Sequence, residues 1–98
     1  MANICDNSFF AESESIENIN YIADFLKEHL YADLYDISES AIEAYFDSGW
    51  TFPESLMEEL FENLPNKKDI YMRCLSVEYG CLYHALWVCN NEKGWIEV

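Results

Sequence analysis

The chain has 98 residues, of which 51% are hydrophobic and 16% aromatic, and its formal net charge is −14 at pH 7. This length suits a single domain, residues 1–98, and the hydrophobic content is too high for a disordered acidic tail. The charge argues against direct binding to nucleic acid or to an anionic membrane surface, because both are negative, and favours a partner with a basic surface.

The location of the protein is inferred from its termini and its cysteines. No apolar run approaches the roughly 20 residues that span a bilayer. The opening residues, Met1 to Asp6, lack the basic and apolar regions of a secretory signal. We therefore expect a cytoplasmic protein whose cysteines are reduced thiols.

Hydrophobic periodicity divides the first half of the chain into a strand, a helix and a strand. The first strand is predicted over residues 3–11, and the polar residues 12–15 supply a helix N-cap and acids for the first turn. From Ile16 the apolar residues recur at three- and four-residue spacing, which predicts a helix that ends near residues 34–36. Residues 37–40 are expected to connect it to a strand over 41–46, where apolar and polar residues alternate.

The second half of the chain is predicted to form a helix and two or three strands. Thr51, Pro53 and Glu54 match a capping box with proline in the first turn, and the helix is expected to stop at Pro65. Strands follow over 70–79 and 82–89, with a short edge strand over 95–98. The predicted fold is α+β, with two amphipathic helices on one face of a four-stranded mixed or antiparallel sheet.

Motifs that would carry catalysis or hold a cofactor are missing from the sequence. The three glycines form no phosphate-binding loop, and no cysteines are spaced as C-x-x-C. A zinc or small-ligand site on the last two strands stays an alternative, but buried thiols and a satisfied histidine explain the same residues, which are Cys74, Cys81, His84 and Cys89. We predict a protein that is not an enzyme and that has no cofactor and no metal.

Rows of carboxylates on both predicted helices are the strongest functional signal. Residues three or four apart on a helix are neighbours, so their carboxylates are spaced comparably to the phosphates of a nucleic acid strand. The candidate partner-binding residues are Glu54, Glu58, Glu59 and Glu62 on the second helix, and Glu17, Asp24 and Glu28 on the first. Such rows favour a nucleic-acid mimic that occupies a basic, nucleic-acid-binding surface of another protein.

An adaptor or oligomerising module, including a homodimer, is the alternative from a different class. It would use an apolar patch around Trp87, Trp95 and the open face of the sheet, with the charge serving only solubility. Core packing is the expected role of Trp50 and Trp87, whereas Trp95 is a candidate interface anchor.

Two stretches of the sequence resemble the YubB-type ferredoxin-like domain of plasmid and phage proteins. Residues 1–7 contain Asn, Cys and Asn at the spacing found at the family's start, and residues 44–94 contain Asp47-x-x-Trp50-x-x-Pro53 and Glu78-Tyr79-Gly80. The chain lacks the longer insert that the family usually carries between these stretches. Its predicted order of strands and helices also differs from the ferredoxin-like order β-α-β-β-α-β.

The resemblance implies a ferredoxin-like fold and a mobile-element protein that helps a plasmid or phage survive in a bacterial cell. It supplies no catalytic residues. Together with the acidic rows, it leads to the hypothesis of an anti-CRISPR or anti-restriction inhibitor in the host cytoplasm. The expected target is a basic nucleic-acid-binding protein such as a CRISPR effector or a restriction enzyme.

Overall fold

The chain folds into an antiparallel sheet that is covered on one face by two helices. A computed structural model describes residues 4–80 and 83–98. Its elements, in chain order, are β1 (Ile4–Glu12), α1 (Ile16–Leu30), β2 (Asp33–Ile37), β3 (Ala41–Gly49), α2 (Glu54–Glu62), β4 (Tyr71–Glu78), β5 (Tyr83–Asn90), a single 3₁₀ turn (Asn91–Lys93) and β6 (Trp95–Glu97).

The strands lie in the order β2-β3-β1-β4-β5-β6, and each neighbouring pair is antiparallel. The predicted α+β class, with helices over a sheet, is confirmed. The predicted strand number is wrong, because the described residues form six strands rather than four. From β1 to β4 the elements follow the order β-α-β-β-α-β, which corrects the order inferred from periodicity.

The strand that periodicity missed is β2, which lies where the first helix was expected to continue. The helix ends at Leu30 because Tyr31 adopts a left-handed conformation, with φ 50°, and its backbone N–H donates to the Leu26 carbonyl. The following segment pairs with β3, but its register shifts between Leu34 and Asp36. This irregularity interrupts the alternation of side chains, and with it the pattern that identifies a strand.

The two helix starts differ from each other in how they are capped. The predicted cap of α1 is confirmed, since the Ser15 hydroxyl accepts a hydrogen bond from the backbone N–H of Asn18 at 3.3 Å. The capping box predicted for α2 is wrong, because Pro53 is the N-cap residue. Thr51 lies two positions before it, and its hydroxyl donates to the Phe52 carbonyl instead.

The core lies between the helices and one face of the sheet. On β1 the buried side chains are Cys5, Asn7, Phe9 and Ala11, which alternate with partly or fully exposed ones. They face buried apolar residues of both helices, including Ile22 of α1. Each large apolar side chain buried here stabilises the fold by about 1.5–3 kcal/mol. The opposite face of the sheet, which we call the open sheet face, has no helix packed on it in the described part of the chain.

Candidate acidic interface on the helix layer

The outward face of α1 carries a row of three carboxylates. Successive residues of a helix are about 100° apart, so the buried residues Ile19, Ile22 and Leu26 define the inward side of α1. Glu17, Asp24 and Glu28 point away from it, and all three are exposed. Glu17 and Asp24 are separated by seven residues, which is about 10 Å along the helix axis.

The outward face of α2 carries three of the other four predicted residues, and Glu54 lies in the first turn, seven residues before the buried Phe61 and so on the same side of the helix. Met57, Leu60 and Phe61 of this helix are buried against the sheet. The four acidic side chains, all exposed, are Glu54, Glu58, Glu59 and Glu62. The apolar stripe that packs on the sheet therefore turns six of the seven acids to solvent, whereas Glu54 is exposed in the first turn of its helix.

The two rows belong to one surface, since both helices pack on the same face of the sheet and contact each other. Tyr21 of α1 marks their junction. Burial raises the pKa of its phenol, and the nearby carboxylate of Glu59 on α2 raises it further. We call the seven predicted carboxylates, taken together, the helix acidic surface.

Cations do little to neutralise this surface. Among its seven carboxylates, Glu62 alone has a cationic side chain within 4 Å in the described residues, with Lys67 Nζ at 3.4 Å from its Oε2. The Glu62 side chain in that pair is 69% exposed, and exposed pairs contribute little to stability. Arg73 lies on the open sheet face instead, over the ring of Phe10. The helix acidic surface therefore keeps an excess of negative charge, although the exposed Lys27 also lies on α1.

The cysteine and histidine residues do not form a metal site within the described ranges, where no group of three or more suitable ligands converges. Cys74 and Cys89 are buried on the helix side of the sheet, whereas His84 is exposed on the other side. Burial raises the pKa of both thiols to about 12, which suits inert core residues rather than nucleophiles. Cys81, the remaining residue of the alternative zinc site, lies outside the described residues.

The tryptophans are arranged differently from the prediction. Trp87 stacks on Phe52 with ring centroids 4.5 Å apart, as expected for a core residue. Trp95 also packs inward, and its indole N–H donates to the Met57 carbonyl at 2.8 Å, so it lies on the helix side of the sheet rather than on the open face. Trp50, expected in the core, is 50% exposed at a turn where its φ is 65°. Neither Trp87 nor Trp95 therefore contributes to an apolar patch on the open sheet face.

One buried asparagine, Asn7, connects three neighbouring strands and was not among the residues predicted to be important. The Asn7 amide donates to the Phe46 carbonyl and the Ser48 hydroxyl, and its oxygen accepts from the Ser76 hydroxyl at 2.6 Å. These hydrogen bonds join β3, β1 and β4 around a side chain that is fully buried, which indicates a structural role. The sequence does contain a signal for this role. Asn7 lies two residues from Cys5 and two from Phe9, so it falls on the same buried side of the strand.

The helices of the described residues are too short or too polar to cross a membrane. Comparisons of the chain with protein-family models, with curated proteins and with solved structures found no match. The YubB-type resemblance and the function attached to it therefore stay predictions.

Proposed function

We propose that this protein inhibits a bacterial defence system by mimicking nucleic acid and occupying a basic DNA- or RNA-binding surface of its target. The observation that carries the proposal is the helix acidic surface, in which seven exposed carboxylates lie on two adjacent helices. Each carboxylate would replace a phosphate against the lysines and arginines of the target. Binding would release the counterions of both surfaces, as nucleic acid does.

Two further features support this proposal. The acids are held by helices packed on a sheet, so little backbone conformational entropy is lost when they bind a rigid groove. The order β-α-β-β-α-β over residues 4–78 agrees with the ferredoxin-like class that the family resemblance implies. The target class is a CRISPR effector or a restriction enzyme.

The test compares two variants that change the net charge equally. The first replaces Glu17, Glu28, Glu58 and Glu62 of the helix acidic surface with lysine. The matched control replaces four exposed acids elsewhere with lysine, namely Glu12, Glu14, Glu39 and Glu97. The tagged protein is first used to capture a nucleic-acid-binding target from bacterial lysate, and competition with DNA is then measured on the purified pair.

The proposal expects inhibition to be lost in the helix variant and kept in the control. The affinity of the native protein should also fall steeply between low and high salt, because exposed charges are screened within about 10 Å at 0.1 M salt. Inhibition that survives charge reversal on both helices would contradict the mimic.

An adaptor is the second candidate, and the exposed apolar side chains of the open sheet face favour it. Leu75 is 46% and Ile96 57% exposed there. A partner bound through these residues alone would be retained at high salt and would not be displaced by DNA.

A further inference from the structure

The open sheet face is divided into an acidic half and an apolar half. Side chains that are paired across antiparallel strands share a face, so the strand register identifies the members of each half. The acidic half lies on β2, β3 and β1 and contains Asp33, Asp36, Glu43, Asp47 and Asp6. The apolar half lies on β4, β5 and β6 and contains Leu75, Val77, Leu86, Val88 and Ile96.

The acidic half presents carboxylate oxygens that are available to a partner. The Tyr45 hydroxyl oxygen lies 2.7 Å from Asp6 Oδ1 and 3.0 Å from Asp47 Oδ1. One hydroxyl carries one proton, so it donates to one of these carboxylates at a time and leaves the other able to accept. No cationic side chain lies within 4 Å of the five carboxylates in the part of the chain that is described.

The apolar half borders a shallow depression at the centre of the face. Its volume is about 380 Å³, and the small side chain of Ser8 lies among Phe10, Leu75 and Leu86 in its lining. Leu75 is 46% and Leu86 36% exposed, although they are neighbours on adjacent strands. Arg73 lies at the boundary of the two halves, with its guanidinium 4.3 Å from the centroid of the Phe10 ring.

We propose that the open sheet face is a docking site for an amphipathic helix of a protein partner, with an apolar stripe flanked by lysines or arginines. Strands are about 4.8 Å apart, so β3 and β5 are separated by about 14 Å, which accommodates a helix about 10–12 Å wide. The apolar stripe packs on Leu75 and Leu86. The cations face Glu43 and Asp47, since Arg73 repels them from the middle of the face.

Charge argues against a second copy of this chain as the occupant. A twofold axis parallel to the strands would place the acidic half of each copy on the apolar half of the other, which buries carboxylates without partners. A twofold axis across the strands would place the two acidic halves together. A cationic amphipathic partner has neither problem. This inference goes beyond the nucleic-acid mimic, because it concerns the opposite side of the sheet, and it gives the adaptor candidate a class of partner.

The test uses a fluorescent 18-residue peptide designed as a helix with leucines on one side and lysines on the other. Binding of this peptide to the protein is followed by fluorescence anisotropy at moderate salt. A control peptide of equal charge, with glutamine in place of each leucine, is measured in the same way. We expect the leucine peptide to bind more tightly than the glutamine peptide. The double variant Leu75→Gln, Leu86→Gln should weaken the leucine peptide about tenfold, because two exposed apolar contacts are removed.

Electrostatic specificity is tested with two variants of equal charge. Glu43→Gln, Asp47→Asn should weaken binding severalfold, whereas Glu14→Gln, Glu39→Gln, two exposed residues outside both proposed surfaces, should leave it unchanged. All substituted side chains are at least partly exposed, and circular dichroism checks that each variant is folded. The proposal would be overturned if both charge variants weakened binding equally, or if the two peptides bound equally well. It would also be overturned if the protein formed a dimer that Leu75→Gln dissociates.

Discussion

Replacing Asn18 with alanine should release the segment between α2 and β4 from the first turn of α1. Asn18 is fully buried. Its amide nitrogen donates to the carbonyls of Asn66 at 2.8 Å and Asp69 at 3.0 Å, and its oxygen accepts from the backbone N–H of Asn66 at 2.9 Å. These bonds connect residues about fifty positions apart in the sequence, so no local structure can replace them.

The expected cost follows from these three bonds. Each hydrogen bond contributes about 1 kcal/mol net, so their loss lowers the free energy of unfolding by about 3 kcal/mol. Alanine recovers roughly 0.5 kcal/mol through its higher helix propensity. For a domain of this size, 1 kcal/mol corresponds to about 4–8 °C in Tm, so the net loss should lower Tm by roughly 10–20 °C.

Urea unfolding followed by far-UV circular dichroism measures this loss, with Asn20→Ala as the matched control. Asn20 lies on the same helix but is exposed, so this change alters helix propensity without removing a buried amide. The control should be as stable as the native protein or slightly more stable. If Asn18→Ala came within about 0.5 kcal/mol of the control, the hydrogen bonds of Asn18 would not be holding the two segments together.

Three further predictions concern a glycine, a tyrosine and the thiols. Gly94, with φ 75° and ψ −171°, occupies a region that is nearly restricted to glycine, so Gly94→Ala should cost about 1–3 kcal/mol in urea unfolding. Gly49→Ala, whose new Cβ meets nothing within 4 Å, is its control, and similar losses at both positions would contradict the strain argument. The hydrogen bond to Asp6 is the main cause that raises the pKa of Tyr45, so the folded phenol stays protonated above pH ~10, where an unfolded tyrosine ionises. Any excess in the free energy of unfolding over that of Tyr45→Phe is therefore complete below that pH and should decrease above it. An excess that grew above pH ~10 would contradict this prediction. After Cys81→Ser, a thiol reagent at pH 8 should modify the native protein slowly and the urea-unfolded protein quickly, because burial raises the pKa values of the remaining thiols, Cys5, Cys74 and Cys89. Rapid modification of the native protein would show that these thiols are accessible.

Local patterns predicted several elements well. The strands expected over 3–11, 70–79, 82–89 and 95–98 agree with β1, β4, β5 and β6 to within one residue at each end. The start of α1 and its Ser15 cap were also correct. These features depend on alternation, helical spacing or a side chain that bonds three residues away, all of which can be recognised in a short window of sequence.

The errors concern features that depend on distant partners. The segment that became β2 is stabilised by pairing with β3, and nothing in its own irregular pattern marks it as a strand. The inward position of Trp95 depends on pairing with Cys89 of β5 and on the Met57 carbonyl of α2. Thr51 is not the N-cap of α2, because the chain turns at Trp50 and the cap position falls two residues after Thr51, at Pro53.

The sequence by itself determined the acidic character of the protein and the side of each helix that carries its acids, because one amphipathic period fixes both the buried stripe and the exposed one. Only the tertiary structure decided that the two acidic rows form one surface, since this requires both helices to pack on the same face of the sheet. It also decided the division of the open sheet face, where strand order places the acids of β2, β3 and β1 beside the apolar residues of β4, β5 and β6. Strand pairing joins residues far apart in the chain, and a local pattern contains no information about which strands become neighbours.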